Sequence, residues 1–219
     1  MVETIKKQDK ATLGPLEQAL CVAIFGADQS TLSRMLQSKD SFIIAAAAMS
    51  GQLSSQVVEM LSYCDRAIVR GACVRSGQLS YKRLHDIAMT DDSVGVVIAV
   101  IHSEKLFPDD IFELSYHKSA RVRQATVLSG LLPDSRIYDM SEDRNPYVRS
   151  ATIESDRLPT ERIMAMRRDA EPAVRAAAVR SGYLTDQQLT DMERDGCNGV
   201  KAAVYRERDR RFRRLHDHD

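Results

Sequence analysis

Small and apolar residues recur along this chain every 26 residues. When the repeats are aligned, the residues at one repeat position form a column. An alanine marks the repeat at Ala46, Ala72, Ala99, Ala125, Ala151, Ala177 and Ala203, and only one step is 27 residues long. A second column holds Ala27, Leu53, Leu79, Leu106, Leu132, Leu158 and Leu184. A repeat of this length that keeps its register predicts a solenoid, because each repeat can bury its apolar side only against its neighbours.

Each repeat predicts two helices joined by a turn. In one repeat, Val174, Ala177, Ala178 and Ser181 occupy positions i, i+3, i+4 and i+7, which line one side of an α-helix. Because these residues are small, neighbouring helices can approach closely. Pro172 fits the first position of this helix, where its missing N–H leaves no hydrogen bond unmade. Other residues that fit a helix start are Ser119, Asn145 and Pro146.

The turn and the second helix are predicted from residues with special backbone preferences. Glycine, which accepts a left-handed backbone, closes the first helix at Gly51, Gly77, Gly130 and Gly182. Glu104 and Asp156 replace it in two repeats, which allows those turns to differ. The second helix is expected to span about two to three turns. Its expected start residues are Ser54, Ser80, Pro108, Pro133, Pro159 and Thr185, the last with Gln188 in a capping box.

The repeats resemble a known class of helical repeat. The pattern D-x4-V-[RK]-x-A occurs in DRNPYVRSA, DAEPAVRAA and DGCNGVKAA, and LPTERIMAM follows the first of them. This looks like HEAT-like repeats, and the leucine–proline opening of the second helix looks closer still to the variant leucine-rich repeat. The resemblance covers roughly Leu16 to Arg206. It implies an all-α, right-handed α-solenoid of about seven to eight helical hairpins, in families that are mostly binding scaffolds.

The repeats predict a single domain with a short segment at each end. Residues 1–14 are polar and are expected to form a flexible lead-in, and residues 15–207 form the α-solenoid. The last repeat begins near Asn198 and continues into RERDRRFRRLHDHD. We therefore expect residues 208–219 to form a charged C-terminal tail.

Composition points away from membranes and strong electrostatic attraction. The 31 Lys and Arg residues equal the 31 Asp and Glu residues, so no net charge draws the protein to nucleic acid or to a lipid surface. The longest apolar runs, near Ala19–Ala27 and Ile43–Met49, are too short to span a bilayer. No secretory leader is recognisable. The four irregularly spaced cysteines, Cys21, Cys64, Cys73 and Cys197, indicate reduced packing residues and a cytoplasmic protein.

A ladder of cations follows the repeated valine of the first helix. It consists of Arg70, Arg123, Arg149, Arg175 and Lys201. A cation near a helix N-terminus opposes the helix dipole and needs an anionic neighbour. The structural interpretation pairs the ladder with an upstream aspartate of the same or the adjacent repeat, namely Asp65, Asp143, Asp169 or Asp195. The functional interpretation is a row of cations that faces phosphates, and we favour ion pairs as the commoner use of this spacing.

Two other surface features are candidates for binding. The basic C-terminal segment carries Arg206, Arg208, Arg210, Arg211, Arg213 and Arg214, but Glu207 and Asp209 dilute its charge and favour internal pairing. A variable column follows one core position of the first helix, at Met49, Arg75, His102, Leu128, Glu154, Arg180 and Arg206. A solenoid reads its ligand where its repeats differ, although ordinary surface variation explains the column equally well.

No residue pattern points to catalysis, a cofactor or a metal. His85, His102 and His117 are isolated, and there is no HExxH or CxxC pair, so a zinc site is not expected. His216 and His218 lie on a polar end, where a disordered tail is a commoner use than chelation. The phosphate-binding, dinucleotide-binding and nucleophile-elbow motifs are also missing from the sequence.

The sequence therefore favours a non-enzymatic scaffold that binds a protein partner through one extended face. The alternative is nucleic-acid binding through the arginine ladder and the basic C-terminal segment. A lesser alternative is an enzyme, because HEAT-like repeats occur in a family of DNA alkylation-repair glycosylases. Those enzymes use a carboxylate and aromatic residues in a concave cleft, and this chain has no tryptophan and no matching motif.

Overall fold

The computed structural model describes residues 28–216, and within this range it contains helices and no strand. Its helices are α1 (Gln29–Leu36), α2 (Ser41–Met49), α3 (Ser55–Leu61), α4 (Ala67–Arg75), α5 (Tyr81–Thr90), α6 (Val94–Ile101), α7 (Pro108–Leu114), α8 (Ala120–Leu128), α9 (Asp134–Met140), α10 (Pro146–Glu154), α11 (Thr160–Met166), α12 (Pro172–Arg180), α13 (Asp186–Met192) and α14 (Asn198–His216). Even numbers are the first helices of the repeats and odd numbers are the second helices. The all-α solenoid that the sequence predicted is therefore confirmed.

The chain divides into two compact units where the sequence suggested one domain. The N-terminal unit ends at Asp110 and the C-terminal unit begins at Ile111, so the boundary lies inside α7. Within each unit, consecutive first helices pack side by side, as α4 does against α6 and α10 does against α12. The predicted lead-in at residues 1–14, Cys21 and His218 lie outside the described residues.

The repeated small and branched residues form the core. Val148, Ala151, Val174 and Ala177 of α10 and α12 are all buried, which confirms the stripe read from the sequence. Ala46 and Ala99 are only half-buried, so the alanine column is less regular in the N-terminal unit. The buried residues of the second column are Leu79, Leu106, Leu132, Leu158 and Leu184.

The helix boundaries follow the predicted start signals. Ser54, Ser80 and Thr185 are N-caps whose side chains accept a backbone N–H, and Thr185 forms the predicted capping box with Gln188. Pro146 and Pro172 open α10 and α12. The second helices from α9 onwards are seven residues long, which agrees with two turns.

The turns after the first helices share one backbone conformation. The four predicted glycines have φ between 70° and 83°. Glu104 and Asp156 adopt φ of 57° and 55°, so the expected difference in these two turns is wrong. A non-glycine residue there carries strain of roughly 1–2 kcal/mol, which the packing on both sides of the turn must outweigh.

The terminal helix and the thiols complete the fold. Helix α14 runs without a break for 19 residues to His216, so the segment expected to be a tail from residue 208 continues as helix. Cys64, Cys73 and Cys197 are free thiols, and burial raises the pKa of Cys73 to about 12. Cys73 therefore remains a protonated packing residue at neutral pH. Among the described helices, none combines the length and the apolar content needed to cross a membrane.

Candidate interaction surfaces

The arginine ladder joins one repeat to the next. Arg123 donates from Nε and Nη2 to the two carboxylate oxygens of Asp143, each at 2.7 Å. Its Nη1 donates to the carbonyl oxygens of His117 and Lys118, which precede its own helix. The side chains of Arg123 and Asp143 are only 7% and 11% exposed. One guanidinium thus binds a carboxylate of the following repeat while it satisfies carbonyl groups of its own.

The same pair occurs in three further repeats. Arg149 binds Asp169 and Arg175 binds Asp195 through two hydrogen bonds each, at 2.7–2.8 Å. In the N-terminal unit Arg70 binds Asp91 in the same way. The expected upstream position of the carboxylate was wrong, because each partner lies 20 or 21 residues downstream of its arginine. Asp65 accepts from Arg70 only through its backbone carbonyl. The partner therefore comes from the following repeat in all four cases.

Each ladder aspartate also orders the start of the next first helix. Asp143 accepts the backbone N–H of Asn145 at 2.8 Å, and Asp195 accepts that of Cys197 at 2.8 Å. Burial raises the pKa of Asp143, but the hydrogen bonds from Arg123 and Asn145 outweigh it and hold the pKa below its ordinary value. The Arg175 hydrogen bond is the largest influence on Asp195 and lowers its pKa, and Lys201 adds to the effect.

These lowered pKa values predict that stability falls in acid. A carboxylate whose folded pKa lies below its unfolded value stabilises the fold above the unfolded pKa of about 3.9, and this contribution is lost as the pH falls through the folded value. The arginines stay charged throughout, so the carboxylates determine the change. The urea concentration at which half of the protein is unfolded (the midpoint) should therefore stay nearly constant from about pH 7 to pH 5 and should fall steeply below about pH 4.

A matched variant tests whether the ladder causes the acid loss. Asp143→Asn cannot titrate, so its midpoint should be lower at pH 7 and should change less than the wild-type midpoint between about pH 5 and pH 3. The exposed Asp134→Asn, on α9 of the same unit, should follow the wild type. Equal acid sensitivity in Asp143→Asn and the wild type would show that other carboxylates dominate.

The basic C-terminal segment is largely paired within the C-terminal unit. Glu207 is 4% exposed and accepts ion pairs from Arg210 at 2.6 Å and Arg211 at 3.0 Å. Arg211 also reaches Asp186 at 2.8 Å and donates to the carbonyl oxygens of the turn before α13. Two further pairs are Arg208–Glu193 and Arg213–Asp209. These contacts hold α14 against the preceding hairpin, and Arg206 and Arg214 are left exposed without an ion pair to any described residue.

All seven residues of the variable column are exposed. Arg180 lies 3.8 Å from Glu154 of the neighbouring first helix, which is a long contact between half-exposed side chains. In the N-terminal unit Arg75 and His102 line one cavity together. The column is therefore exposed throughout, and neighbouring members lie close together at these two places.

A second set of arginines, which the sequence reading missed, lies on the second helices. Arg136 donates from Nε to the hydroxyl of Ser115 at 2.8 Å, and its Nη2 donates to the Ser115 carbonyl. Arg162 makes the same two bonds to Ser141. Arg83 binds Ser62 in the N-terminal unit. A serine followed by an arginine 21 residues later was the available signal.

These arginines cover exposed aromatic rings. The guanidinium carbon of Arg136 lies 3.8 Å from the ring centre of Tyr116, and Phe112 meets the same tyrosine edge to face at 5.6 Å. Arg162 lies 5.7 Å from the ring centre of Tyr138. We call Phe112, Tyr116 and Tyr138 with these two arginines the arginine–tyrosine row. Arg83 covers Tyr63 in the N-terminal unit at 3.6 Å.

One repeat carries Asp110 at the repeat position that is occupied by Arg83 in the repeat before it and by Arg136 in the repeat after it. Asp110 is buried and lies one repeat after Arg83. It accepts hydrogen bonds from Tyr81 at 3.0 Å and from the backbone of Phe107 at 2.9 Å, and His85 lies 2.8 Å away. The donors around Asp110 thus come from α5 and from the start of its own helix. Within residues 28–216, no group of three or more His, Cys, Asp or Glu side chains is placed to hold a metal ion.

Comparison with known proteins gives the fold and no family. No protein-family model matches the chain, and no curated protein matches it. The X-ray structure of YibA from Escherichia coli matches with a TM-score of 0.61 at 18% identity, over 90% of this chain and 85% of YibA. The chain is a helical repeat protein. Similarity at this identity shows the fold alone, so the narrower HEAT-like or variant leucine-rich assignment stays a prediction.

Proposed function

We propose that this helical repeat protein is a non-enzymatic scaffold that binds a protein partner through the exposed side of its second helices. The observation that carries the proposal is the arginine–tyrosine row of the C-terminal unit. Tyr116 is 61% exposed and Tyr138 is 45% exposed, whereas the side chains of Arg136 and Arg162 are 14% and 23% exposed. The tyrosines face solvent and the arginines behind them are held in place.

A fixed tyrosine ring is well suited to protein recognition. Tyrosine and arginine are enriched among the residues that contribute most to protein interfaces. A ring already held by a guanidinium loses less side-chain freedom when a partner covers it, and ordering one such side chain otherwise opposes binding by about 0.5–1.5 kcal/mol. Each cation–π contact stabilises the position of the ring by about 0.5–1 kcal/mol at an exposed site. Arg136 is fixed further by its two bonds to Ser115.

The charges around the row indicate the kind of partner. Glu113, Asp139 and Glu142 are exposed on the same second helices or directly after them. Asp139 lies 3.9 Å from Arg136 and Glu142 lies 3.3 Å from Arg162, so two of these carboxylates are paired with the row arginines. The row arginines, in contrast, are mostly covered. A protein surface that presents basic and apolar side chains fits this combination of solvent-exposed carboxylates and exposed rings. Phosphate groups do not fit it, and the ladder arginines are already bound to aspartates, which supports a protein partner over nucleic acid.

Site-specific photocrosslinking tests the proposal. With p-benzoylphenylalanine in place of Tyr116 or Tyr138, we expect a discrete crosslinked protein product in cells that make this chain. The matched control replaces Tyr147, which is 64% exposed on the first helix α10 of the same unit. Crosslinking to the same protein from the row and not from Tyr147 would support the second-helix face. Equal crosslinking from Tyr147 would contradict it.

The captured partner then allows a direct affinity test. Tyr116→Ala combined with Tyr138→Ala should weaken its binding by about 30-fold or more, because truncating an interface anchor typically removes about 2 kcal/mol. Tyr147→Ala should leave the affinity within about twofold. A partner that binds the double variant as tightly as the wild type would overturn the proposal. Anisotropy with labelled DNA and RNA over a salt series tests the alternative, for which a log–log slope of several units is expected.

A further inference from the structure

A cavity of about 420 Å³ opens between the first helices α4 and α6 of the N-terminal unit. Its volume lies within the range typical of small-molecule sites, about 300–1,000 Å³. It is formed by the C-terminal end of α4, by one side of α6 from Gly95 onwards, and by the turns that follow the two helices. The arginine–tyrosine row belongs to the second helices, so this cavity is independent of the face proposed above.

Three basic side chains line the cavity. Arg75 ends α4, His102 follows the last residue of α6, and Lys105 lies in the next turn. Neither Arg75 nor His102 makes an ion pair with a described residue, and Lys105 donates to the backbone carbonyl of Gly77. None of the described residues that line the cavity is acidic. No described residue of the lining therefore neutralises the positive charge of the cavity.

The floor of the cavity is apolar. Val74, Ile98 and Ala99 line it between the cations. Gly71 leaves room for the Arg75 guanidinium, because a Cβ at position 71 would lie 3.3 Å from its Nη1. At Gly95 a Cβ would meet only the Ser93 hydroxyl oxygen, at 3.9 Å, so side-chain volume is missing on that side of the cavity. Charge at the rim and apolar surface below define the kind of molecule that fits.

We propose that this cavity binds a small organic anion, with a carboxylate or phosphate held by Arg75, His102 and Lys105 and an apolar body on the floor. Arginine can bind either group through two parallel hydrogen bonds, and lysine binds it as a point charge. The apolar floor favours an aromatic or aliphatic anion over an inorganic one, because burial of its body removes apolar surface from water. Two residues of the variable column thereby contribute to one site.

Nuclear magnetic resonance titration of the full chain tests the site with benzoate and phenyl phosphate as probes. Either probe should shift the backbone amide signals of Gly77, Gly95 and Ser103 and saturate with a dissociation constant of about 1 mM. Phenol lacks the anion and inorganic phosphate lacks the apolar body, so each should bind at least about fivefold more weakly. If neither benzoate nor phenyl phosphate shifts these amides by about 20 mM, the proposal is overturned.

Substitutions assign the binding to the cavity. Arg75→Gln or Lys105→Gln should lower the affinity for the probe by about fivefold, because each removes one cation from a partly exposed anion site. Gly95→Leu retains every charge but fills the free space of the cavity, and it should lower the affinity for the probe by at least about tenfold. Lys82→Gln removes an exposed cation of the same unit away from the cavity and should change the affinity by less than about twofold. Equal effects of Arg75→Gln and Lys82→Gln would refute the site.

Discussion

Arg123→Ala is expected to lower the free energy of unfolding by about 3 kcal/mol. The substitution leaves the Asp143 carboxylate, 11% exposed, without the guanidinium that binds both of its oxygens. It also removes the donor to the carbonyl oxygens of His117 and Lys118. Breaking a buried pair from one side is costly because the remaining charge has lost its water and its partner. Urea unfolding followed by circular dichroism measures the difference.

Arg121→Ala is the matched control for this substitution. Arg121 lies on the same helix, α8, but its side chain is exposed, so its loss should change stability by less than about 0.5 kcal/mol. A double-mutant cycle with Asp143→Ala should give a coupling of about 1–3 kcal/mol between the two partners. If Arg123→Ala and Arg121→Ala destabilise equally, the ladder does not hold the repeats together.

The hydrogen bonds of the ladder bear on the nucleic-acid alternative, because they occupy the guanidinium donors. Arg149 and Arg175 use Nε and Nη2 on their aspartates and Nη1 on backbone carbonyl oxygens, so few donors are left for a phosphate. Arg149→Glu combined with Arg175→Glu should therefore unfold the C-terminal unit rather than produce a folded protein with weaker nucleic-acid binding. A structural ladder thus removes the main support of the nucleic-acid alternative.

The sequence predicted most of the fold because the repeated residues are those that close packing between helices requires. A helix buried on both sides needs small residues at i, i+3 and i+4, and Val148 and Ala151 show that pattern directly. The left-handed turns at Glu104 and Asp156 were not predictable in this way. Tertiary packing there overrides the local preference for glycine, and a sequence pattern does not contain that packing energy.

The candidate surfaces were less predictable, for a geometric reason. The ladder carboxylates were expected upstream of their arginines, as Asp65 is of Arg70, whereas Asp91 lies 21 residues downstream of Arg70 and becomes adjacent only when the next repeat stacks. The arginine–tyrosine row was missed for the same reason. Arg136 and Tyr116 look unrelated along the chain, and the register between repeats brings them together.

Ala151→Leu should destabilise the protein by about 1–3 kcal/mol or more, because it adds volume where first helices pack most closely. Ala151 is fully buried in α10, which packs against α8 on one side and α12 on the other. Leucine cannot fit without separating these helices, and separation would also pull Arg123 and Arg149 away from their aspartates. The expected loss therefore includes part of the ladder energy as well as the steric strain.

The control for this prediction is Ala173→Leu in the neighbouring helix α12. Ala173 is exposed, so the same change in volume there should alter stability by less than about 0.5 kcal/mol. Thermal unfolding of the two variants under one condition separates the effect of position from the effect of residue type. A near-native melting temperature for Ala151→Leu would mean that the first helices are not closely packed at the alanine column. The spacing of the repeats would then have to depend on the ladder and the arginine–tyrosine row instead.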